Sequence, residues 1–138
     1  MAKIVSVNKK ALHDYQALER YEAGIVLQGN EVRAIRQGRV NLKGSFARIL
    51  NNELWLLNCY ISTDNPERTR KLLIKKDEIR RLLGKTNEKG LSLIPLKMYF
   101  KNNVVKVEIG LCRGLKLYDK REQIKKRDQS REIRNPKF

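Results

Sequence analysis

Clustered lysine and arginine side chains are the groups in this sequence best suited to a chemical task. The chain has 31 lysines and arginines against 15 aspartates and glutamates, a formal net charge of +16. Thirteen of these bases form clusters: Lys9, Lys10, Arg33, Arg36, Arg39, Arg68, Arg70, Lys71, Lys75, Lys76, Arg80, Arg81 and Lys85. Such a field attracts nucleic acid or anionic lipid, and cations so widely spread favour contact with phosphates. The sequence therefore predicts a surface that binds a polyanion.

Residues that could catalyse a reaction or hold a metal are few and scattered. The single histidine, His13, has no nucleophile or orienting partner nearby in the sequence, and a general base needs both. Asp77 and Glu78 are adjacent, so on a helix they point about 100° apart. Cys59 and Cys112 lie in separate apolar runs rather than in a metal-binding motif, which favours two buried thiols in a reducing compartment. We expect no enzymatic activity, no cofactor and no metal.

The carboxyl-terminal residues 119–138 contain few apolar side chains. Eight of these positions are Lys or Arg and four are Asp or Glu, and only Ile124, Ile133 and Phe138 are clearly apolar. So little apolar surface cannot offset the entropy of ordering, which predicts a tail that is disordered until a partner orders it. We therefore divide the chain into a folded domain over residues 1–117 and a basic tail over 118–138.

Three short helices are predicted to carry the basic clusters of the folded domain. The first covers residues 10–20, where apolar side chains recur every three positions, and Asn8 is its expected N-cap. The second covers residues 30–38. The third covers residues 75–86, with Ile79, Leu82 and Leu83 facing in, and is expected to end at Gly84.

The other segments favour strands. Residues 21–29 read as a single strand, and residues 46–61 as a hairpin that turns at an Asn-Asn pair. Residues 62–70 are turn-forming and charged, which predicts a loop. Residues 91–112 predict a second hairpin, in which Pro95 indicates an edge position or a bulge.

Two hairpins, a single strand and short helices indicate a small, mainly β domain. Closing its sheet removes the exposed edges that a small open sheet would leave. We therefore predict an OB-like antiparallel β-barrel with about three flanking short α-helices and a carboxyl-terminal tail. A split α+β sandwich is the alternative. Residues 1–10 lack the apolar run of a signal peptide, and no stretch approaches the ~18 apolar residues of a membrane span. We expect a cytoplasmic protein.

An ordered set of short motifs resembles the small protein B (SmpB) family from about residue 8 to 128. Each motif is weak alone, but the set follows the family's order. The motifs are Asn8-Lys9-Lys10-Ala11, His13-Asp14-Tyr15, Tyr21-Glu22-Ala23-Gly24-Ile25, Gly29-x-Glu31-Val32, Arg68-Thr69-Arg70-Lys71-Leu72-Leu73, Gly90-Leu91, Pro95-Leu96, Tyr99-Phe100-Lys101-Asn102, Lys106-Val107 and Tyr118-Asp119-Lys120-Arg121.

This resemblance implies an RNA-binding adaptor that partners transfer-messenger RNA in the rescue of stalled ribosomes. It implies that an OB-fold barrel binds the tRNA-like domain of that RNA, chiefly at its D-loop and elbow. The residues that it places in the RNA contact are Glu22, Leu73 and Lys106, with Asn8, Lys9 and His13 in the same pattern. The charge clusters add Lys10, Arg36 and Arg70 as RNA-binding candidates.

The resemblance also gives the tail a role. It implies that the tail becomes helical in the messenger path of the small ribosomal subunit and contacts ribosomal RNA near the decoding centre. An indirect contact with elongation factor Tu would pass through the RNA. The candidate ribosome-binding residues are Lys116, Tyr118, Asp119, Lys120, Arg121, Lys125, Lys126 and Arg127. Two departures are that Leu115 replaces a residue that is usually basic in the family, and that the tail looks short.

Two other classes of function remain open from the sequence. One is a general OB-fold protein that coats single-stranded RNA and has no ribosomal role. The other is a nuclease or RNA-modifying enzyme, which would have to use His13. The first would bind a bare single strand as well as a folded RNA, and the second would alter its RNA.

Overall fold

The computed structural model describes residues 2–87 and 90–115. Within them the chain forms nine strands and three helices. In chain order these are β1 (Ala2–Val7), α1 (Lys9–Asp14), β2 (Tyr15–Ile25), α2 (Gly29–Arg36), β3 (Val40–Asn41), β4 (Phe46–Leu50), β5 (Glu53–Leu57), β6 (Tyr60–Ile61), β7 (Arg70–Leu73), α3 (Lys76–Thr86), β8 (Leu91–Lys101) and β9 (Val104–Gly114).

The main sheet closes on itself. Its strands follow the order β8-β4-β5-β7-β2-β9, and β9 pairs with β8 again. Every pairing around this ring is antiparallel. The predicted OB-like barrel is thus confirmed, and the split sandwich is wrong because the six strands of the ring close into one barrel rather than stacking as two sheets. Strands β3 and β6 form a small second sheet.

Strand β8 serves two neighbours along one of its edges. The half near Leu93 pairs with β4, whereas residues 97–101 pair with β1. The register of β8 against β9 shifts between Pro95 and Lys97. Proline has no N–H to give to a ladder, and a bulge changes the twist of a strand locally. The bulge predicted at Pro95 therefore lies where β8 changes partners.

Both predicted hairpins are present, and the conformation of their turns explains why the sequence predicts them. Asn51, Asn52, Asn102 and Asn103 all have positive φ angles between 52° and 64°. Two-residue hairpin turns often require this conformation, which asparagine tolerates better than most residues. The first hairpin is shorter than expected, because Asn58, with φ of 59°, separates β5 from β6.

The barrel interior holds the main apolar core, and a smaller cluster lies outside it. The core residues with no exposed surface include Ala23, Leu54, Met98, Val107 and Ile109. The smaller cluster packs α1 against the outer face of the sheet through Ala11, Ile94, Leu96 and Cys112. Alternate residues of β8 and β9 thus face opposite sides of the sheet, and both sides are covered at the α1 end.

The helix predictions hold for position better than for length. The predicted helix over 10–20 is wrong beyond Asp14, because residues from Tyr15 onward pair with β9. Gly38, with φ of +74°, lies just after α2 as expected. Gly84 does not end α3, which continues to Thr86 and is capped at Asn87. Of the three residues of α3 expected to face in, Leu82 is buried as predicted, Ile79 is half-buried, and Leu83 is exposed, so the expectation for Leu83 is wrong.

The sequence did not predict every element of the fold. Strand β1 was not predicted, although it pairs with β8 over residues 97–101. The tail division at residue 118 lies outside the described residues. The longest helix in 2–87 and 90–115 has 11 residues, and none there combines the length and apolar character needed to cross a membrane.

Candidate nucleic-acid interface

One row of residues on the outer face of the barrel joins three neighbouring strands. Leu73 at the end of β7 lies opposite Gly24 on β2, and Gly24 lies opposite Lys106 on β9. Ala23 and Leu72, each one residue earlier in the same strand, point the other way, into the core. Leu73 is 51% exposed, which is unusual for a leucine in a closed barrel strand. The fold thus brings together two residues that lie far apart in sequence and leaves a glycine between them.

Glu22 lies beside this row, two residues before Gly24 on the same face. Its carboxylate accepts a hydrogen bond of 2.5 Å from the Tyr99 hydroxyl, and Lys101 Nζ is 3.5 Å from both carboxylate oxygens. The bond from Tyr99 lowers the pKa of Glu22, and the charges of Lys101 and Lys106 act in the same direction. Glu22 is therefore an ionised acceptor at neutral pH. We call Glu22, Gly24, Leu73, Tyr99 and Lys106 the Gly24 patch.

Tyr99 is held in place by its neighbours on β8 and β9. It is only 7% exposed, and Lys97 Nζ lies 5.7 Å from the centroid of its ring. Lys97 also pairs with Glu108 at 3.1 Å. Burial and the bond to Glu22 raise the pKa of the Tyr99 hydroxyl, so it stays protonated and remains a donor. The Gly24 patch therefore has a carboxylate whose position is fixed before any ligand arrives.

A second group of candidates lies on α1, at the other end of β2. The side chain of Asn8 accepts from the N–H of Ala11 at 3.2 Å, which makes it the predicted N-cap. Its amide donates to the carbonyls of Leu42 at 3.2 Å and Pro95 at 2.9 Å. Asn8 is 4% exposed. Its role in this structure is to fix α1 on the barrel rather than to meet a ligand.

The basic side chains of α1 face outward. Lys9, Lys10 and His13 are exposed, and His13 Nδ1 lies 3.0 Å from a carboxylate oxygen of Asp14. Lys10 also borders a cleft of about 870 Å³ between α1, β4 and the end of α3. Tyr15 and Gly24 are nine residues apart on β2, so the two groups of candidates lie about 30 Å apart along the strand. The sequence motif had placed them in one pattern.

Arg70 belongs to a buried ion cluster with Glu31 and Arg68. The Arg70 guanidinium has no exposed surface and lies 2.6 Å from the Glu31 carboxylate. It also donates to the carbonyls of Cys59 at 2.6 Å and Pro66 at 3.1 Å. Arg68 donates to the same carboxylate at 2.5 Å. The cluster joins α2, the loop before β7 and β7 itself.

The ion cluster changes the role expected for Arg70. Burial by itself would raise the pKa of Glu31, but hydrogen bonds from Arg68, the Gln28 N–H and Arg70 outweigh it and leave the pKa below its ordinary value. Because all three donor groups of the Arg70 guanidinium have internal acceptors, Arg70 does not face RNA in this conformation. Arg36, on α2, is exposed and remains a candidate for phosphate contact.

Three residues of these sites were not assigned a role by the sequence. Glu31 and Tyr99 belong to the family motifs, yet nothing local indicated that one is buried with arginines and the other holds Glu22. Gly24 resembles any glycine near a strand end. What identifies them is contact between elements that lie far apart in sequence, which only the fold supplies. The tail candidates Lys116, Tyr118, Asp119, Lys120, Arg121, Lys125, Lys126 and Arg127 lie outside the described residues.

Cysteine, histidine and acidic side chains are the groups that could bind a metal ion or undergo oxidation. Cys59 and Cys112 are buried free thiols, as predicted, and burial raises the pKa of each to about 11. In residues 2–87 and 90–115, no three His, Cys, Asp or Glu side chains are grouped in a way that would hold a metal ion.

Comparison with known sequences gives a match along nearly the whole chain. The model of the family described as SmpB protein matches residues 5–137. The SsrA-binding protein of Carboxydothermus hydrogenoformans is 59% identical over 96% of this chain and 95% of its own length. The SsrA-binding protein of Desulforudis audaxviator is 55% identical, with 95% of this chain and 91% of that protein covered.

A solved structure gives the same result. A chain from the work described as "tmRNA-SmpB: a journey to the center of the bacterial ribosome" matches with a TM-score of 0.70 and 47% sequence identity. The match covers 86% of this chain and 93% of that chain. The barrel is therefore shared with a structure of closely related sequence.

Proposed function

Because this chain belongs to the SmpB family, we propose that it is an RNA-binding adaptor for transfer-messenger RNA in the rescue of stalled ribosomes. One observation carries the proposal: the family match extends over residues 5–137, so it includes both the barrel and the tail. Relatives that are 59% and 55% identical are described as SsrA-binding proteins. The chain binds transfer-messenger RNA and delivers it to the ribosome for trans-translation.

The barrel supplies the contact with the tRNA-like domain of that RNA. In the Gly24 patch, Lys106 meets a phosphate, Leu73 packs against a nucleotide and Glu22 accepts from a base or ribose donor. Lys9, Lys10 and Arg36 add phosphate contacts elsewhere on the surface. Asn8 and Arg70 act from inside the protein, since each holds a surface element in position.

The tail, residues 118–138, supplies the contact with ribosomal RNA near the decoding centre and the messenger channel. Its composition supports this proposal, because eight of residues 119–138 are basic and few are apolar, as expected of a segment that is ordered by a charged partner. Tyr118 stacks on a base, and Lys120 and Arg121 meet phosphates. Elongation factor Tu approaches through the RNA. The adaptor is cytoplasmic and carries out no catalysis of its own.

Removal of the tail tests this division of labour. We expect that deletion of residues 118–138 leaves affinity for the tRNA-like domain largely unchanged but abolishes peptide tagging on stalled ribosomes. Filter binding and a reconstituted tagging reaction measure the two properties. If RNA affinity falls as steeply as tagging, the assignment of separate roles to barrel and tail is wrong.

The ionic strength at which binding is measured provides a second test. If six to ten cations meet phosphates, the affinity falls by about 10³–10⁵ between 50 and 200 mM salt. A general single-strand binder would show this dependence too, so a bare single strand is added as competitor. The proposed adaptor retains a preference of orders of magnitude for the folded RNA. If the bare single strand competes as well as the folded RNA, the chain is a general coating protein instead. No observation on the described residues favours that function.

A further inference from the structure

Gly24 has no side chain to cover the backbone in the middle of the Gly24 patch, and this leaves a shallow gap beside the side chain of Leu73. It lies on β2 between the side chains of Leu73 and Lys106 on the two neighbouring strands. A Cβ atom at this position would lie 3.5 Å from Leu73 Cβ and 3.8 Å from Leu73 Cδ1, which is ordinary contact. The backbone there has no positive φ. Neither crowding nor conformation therefore requires a glycine at this point of the strand.

A glycine inside a strand weakens the sheet and often marks a place where a ligand comes close to the backbone. The ligand at Gly24 would have a flat face, because the gap is floored by backbone and bordered by the 51% exposed side chain of Leu73. A nucleobase has this shape, and unpaired bases in RNA are commonly bound by their faces and edges.

Glu22 decides which base would fit. An ionised carboxylate has about four acceptor positions. Tyr99 occupies one of them on one oxygen, and Lys101 lies at 3.5 Å, a long distance for a hydrogen bond. The side chain of Glu22 is 40% exposed. Glu22 therefore keeps acceptor positions free toward the solvent, on the same face as the gap.

We propose that the gap over Gly24 binds an unpaired guanine, whose Watson–Crick edge donates two hydrogen bonds to Glu22 while Tyr99 holds that carboxylate in place. This inference rests on the proposed RNA-binding function and names the base recognised at the same surface. Guanine fits because N1–H and the N2 amino group are neighbouring donors, whereas adenine, cytosine and uracil each offer one donor beside acceptors. Leu73 packs on the base, and Lys106, which lies opposite Gly24 on β9, meets its phosphate. Tyr99 is a positioning residue.

The experiment replaces the unpaired guanosines of a tRNA-like-domain transcript by inosine, one at a time. Inosine lacks the N2 amino group, so it removes one donor and changes little else. We expect wild-type protein to lose affinity about tenfold at one position. Glu22→Gln should lower the affinity for the unmodified transcript by a similar factor, and inosine at that position should then cost less than twofold more.

Two further variants test the gap and the positioning. Gly24→Val fills the gap and should weaken binding at least tenfold, whereas Gly84→Val, at a glycine with no atom within 4 Å of its added Cβ, should not. Tyr99→Phe keeps the ring but removes the donor, so it should reduce the inosine penalty along with the affinity. Thermal unfolding of each variant separates these effects from a loss of fold.

Each outcome supports or overturns the inference. If wild-type protein binds the unmodified transcript but no inosine position weakens binding, the guanine site is wrong and the proposed function stands. If the inosine penalty persists in full in Glu22→Gln, another residue reads the guanine, and the site is again wrong. If wild-type protein fails to bind the unmodified transcript, the proposed function fails as well.

Discussion

The buried ion cluster and the Gly24 patch use the same kind of carboxylate for opposite purposes. In both, hydrogen-bonding partners keep the pKa of a glutamate below its ordinary value. Glu31 is 1% exposed and its partners are two arginines and a backbone N–H. Glu22 is exposed, and its one short hydrogen bond comes from the hydroxyl of Tyr99. One acceptor is fully used by the protein, and the other is left partly open.

This difference shows why burial decides the role of a charged residue better than its charge does. Arg70 has the charge of a phosphate-binding residue, but it holds α2, the loop before β7 and β7 together. Through β7 it also fixes Leu73, three residues further along the same strand. The buried ion cluster therefore anchors the strand that carries Leu73 of the Gly24 patch.

Arg70→Ala should give the largest effect, on stability. It leaves the Glu31 carboxylate buried with one arginine fewer, and a buried charge that loses its partner costs about 3–5 kcal/mol. Urea unfolding measures the loss. Arg36→Ala is the matched control, since an exposed arginine should change the unfolding free energy by no more than about 0.5 kcal/mol. Similar values for the two variants would contradict the buried role of Arg70.

The second largest effect that we expect is a loss of stability at low pH through protonation of Glu31. Its pKa is lower in the folded chain than in the unfolded chain, where the pKa of a glutamate is about 4.3. The stability that this shift provides is complete above the unfolded pKa and is lost as the pH falls through the folded pKa. Unfolding free energies from pH 7 to pH 3 should fall less steeply in Glu31→Gln than in wild type. Equal slopes would show that other carboxylates carry the acid sensitivity.

Glu22→Gln should separate the two carboxylates most clearly. We expect RNA affinity to fall about tenfold, with a change of no more than about 0.5 kcal/mol in unfolding free energy. Filter binding and urea unfolding on one preparation give both numbers. A large loss of stability would place Glu22 with Glu31 as a structural residue.

Lys101→Ala should have the smallest effect. Lys101 Nζ is 3.5 Å from the Glu22 oxygens and its side chain is 50% exposed, so solvent screens the pair. We expect RNA affinity to change less than threefold, measured by filter binding at one fixed salt concentration. A change as large as that of Glu22→Gln would mean that Lys101 itself meets the RNA.

Local signals predicted the parts of the fold that local sequence determines. The two hairpins were predictable because an Asn-Asn pair fixes each turn. The start of β2 was not, since apolar spacing in residues 15–20 suits a helix and the partner of Tyr15 is Gly114, almost a hundred residues away. Strand β1 depends on β8 in the same way.

The candidate site divides along the same line. Glu22, Leu73 and Lys106 could be named from family motifs, whereas the contact between Glu31 and Arg70 joins residues 39 positions apart and leaves no pattern in either segment. Tyr99 is 77 positions from Glu22. Pairings of this kind depend on how the strands align, so neither the buried ion cluster nor the positioning of Glu22 could be derived without the fold.

The length of β9 fixes the distance between the Gly24 patch and the α1 end of the barrel. Lys106 lies near its start, and Gly114 ends it eight residues later, next to Tyr15 and the α1 end of the barrel. At about 3.4 Å per residue, the chain beyond Leu115 sets out roughly 27 Å from the Gly24 patch. Under the proposed function, in which the barrel and the tail each hold one RNA, this strand would keep the two RNAs at a fixed spacing. Because β9 also pairs with β2 along this length, an insertion between Lys106 and Gly114 would break the alignment of Lys106 with Gly24 and with it the Gly24 patch.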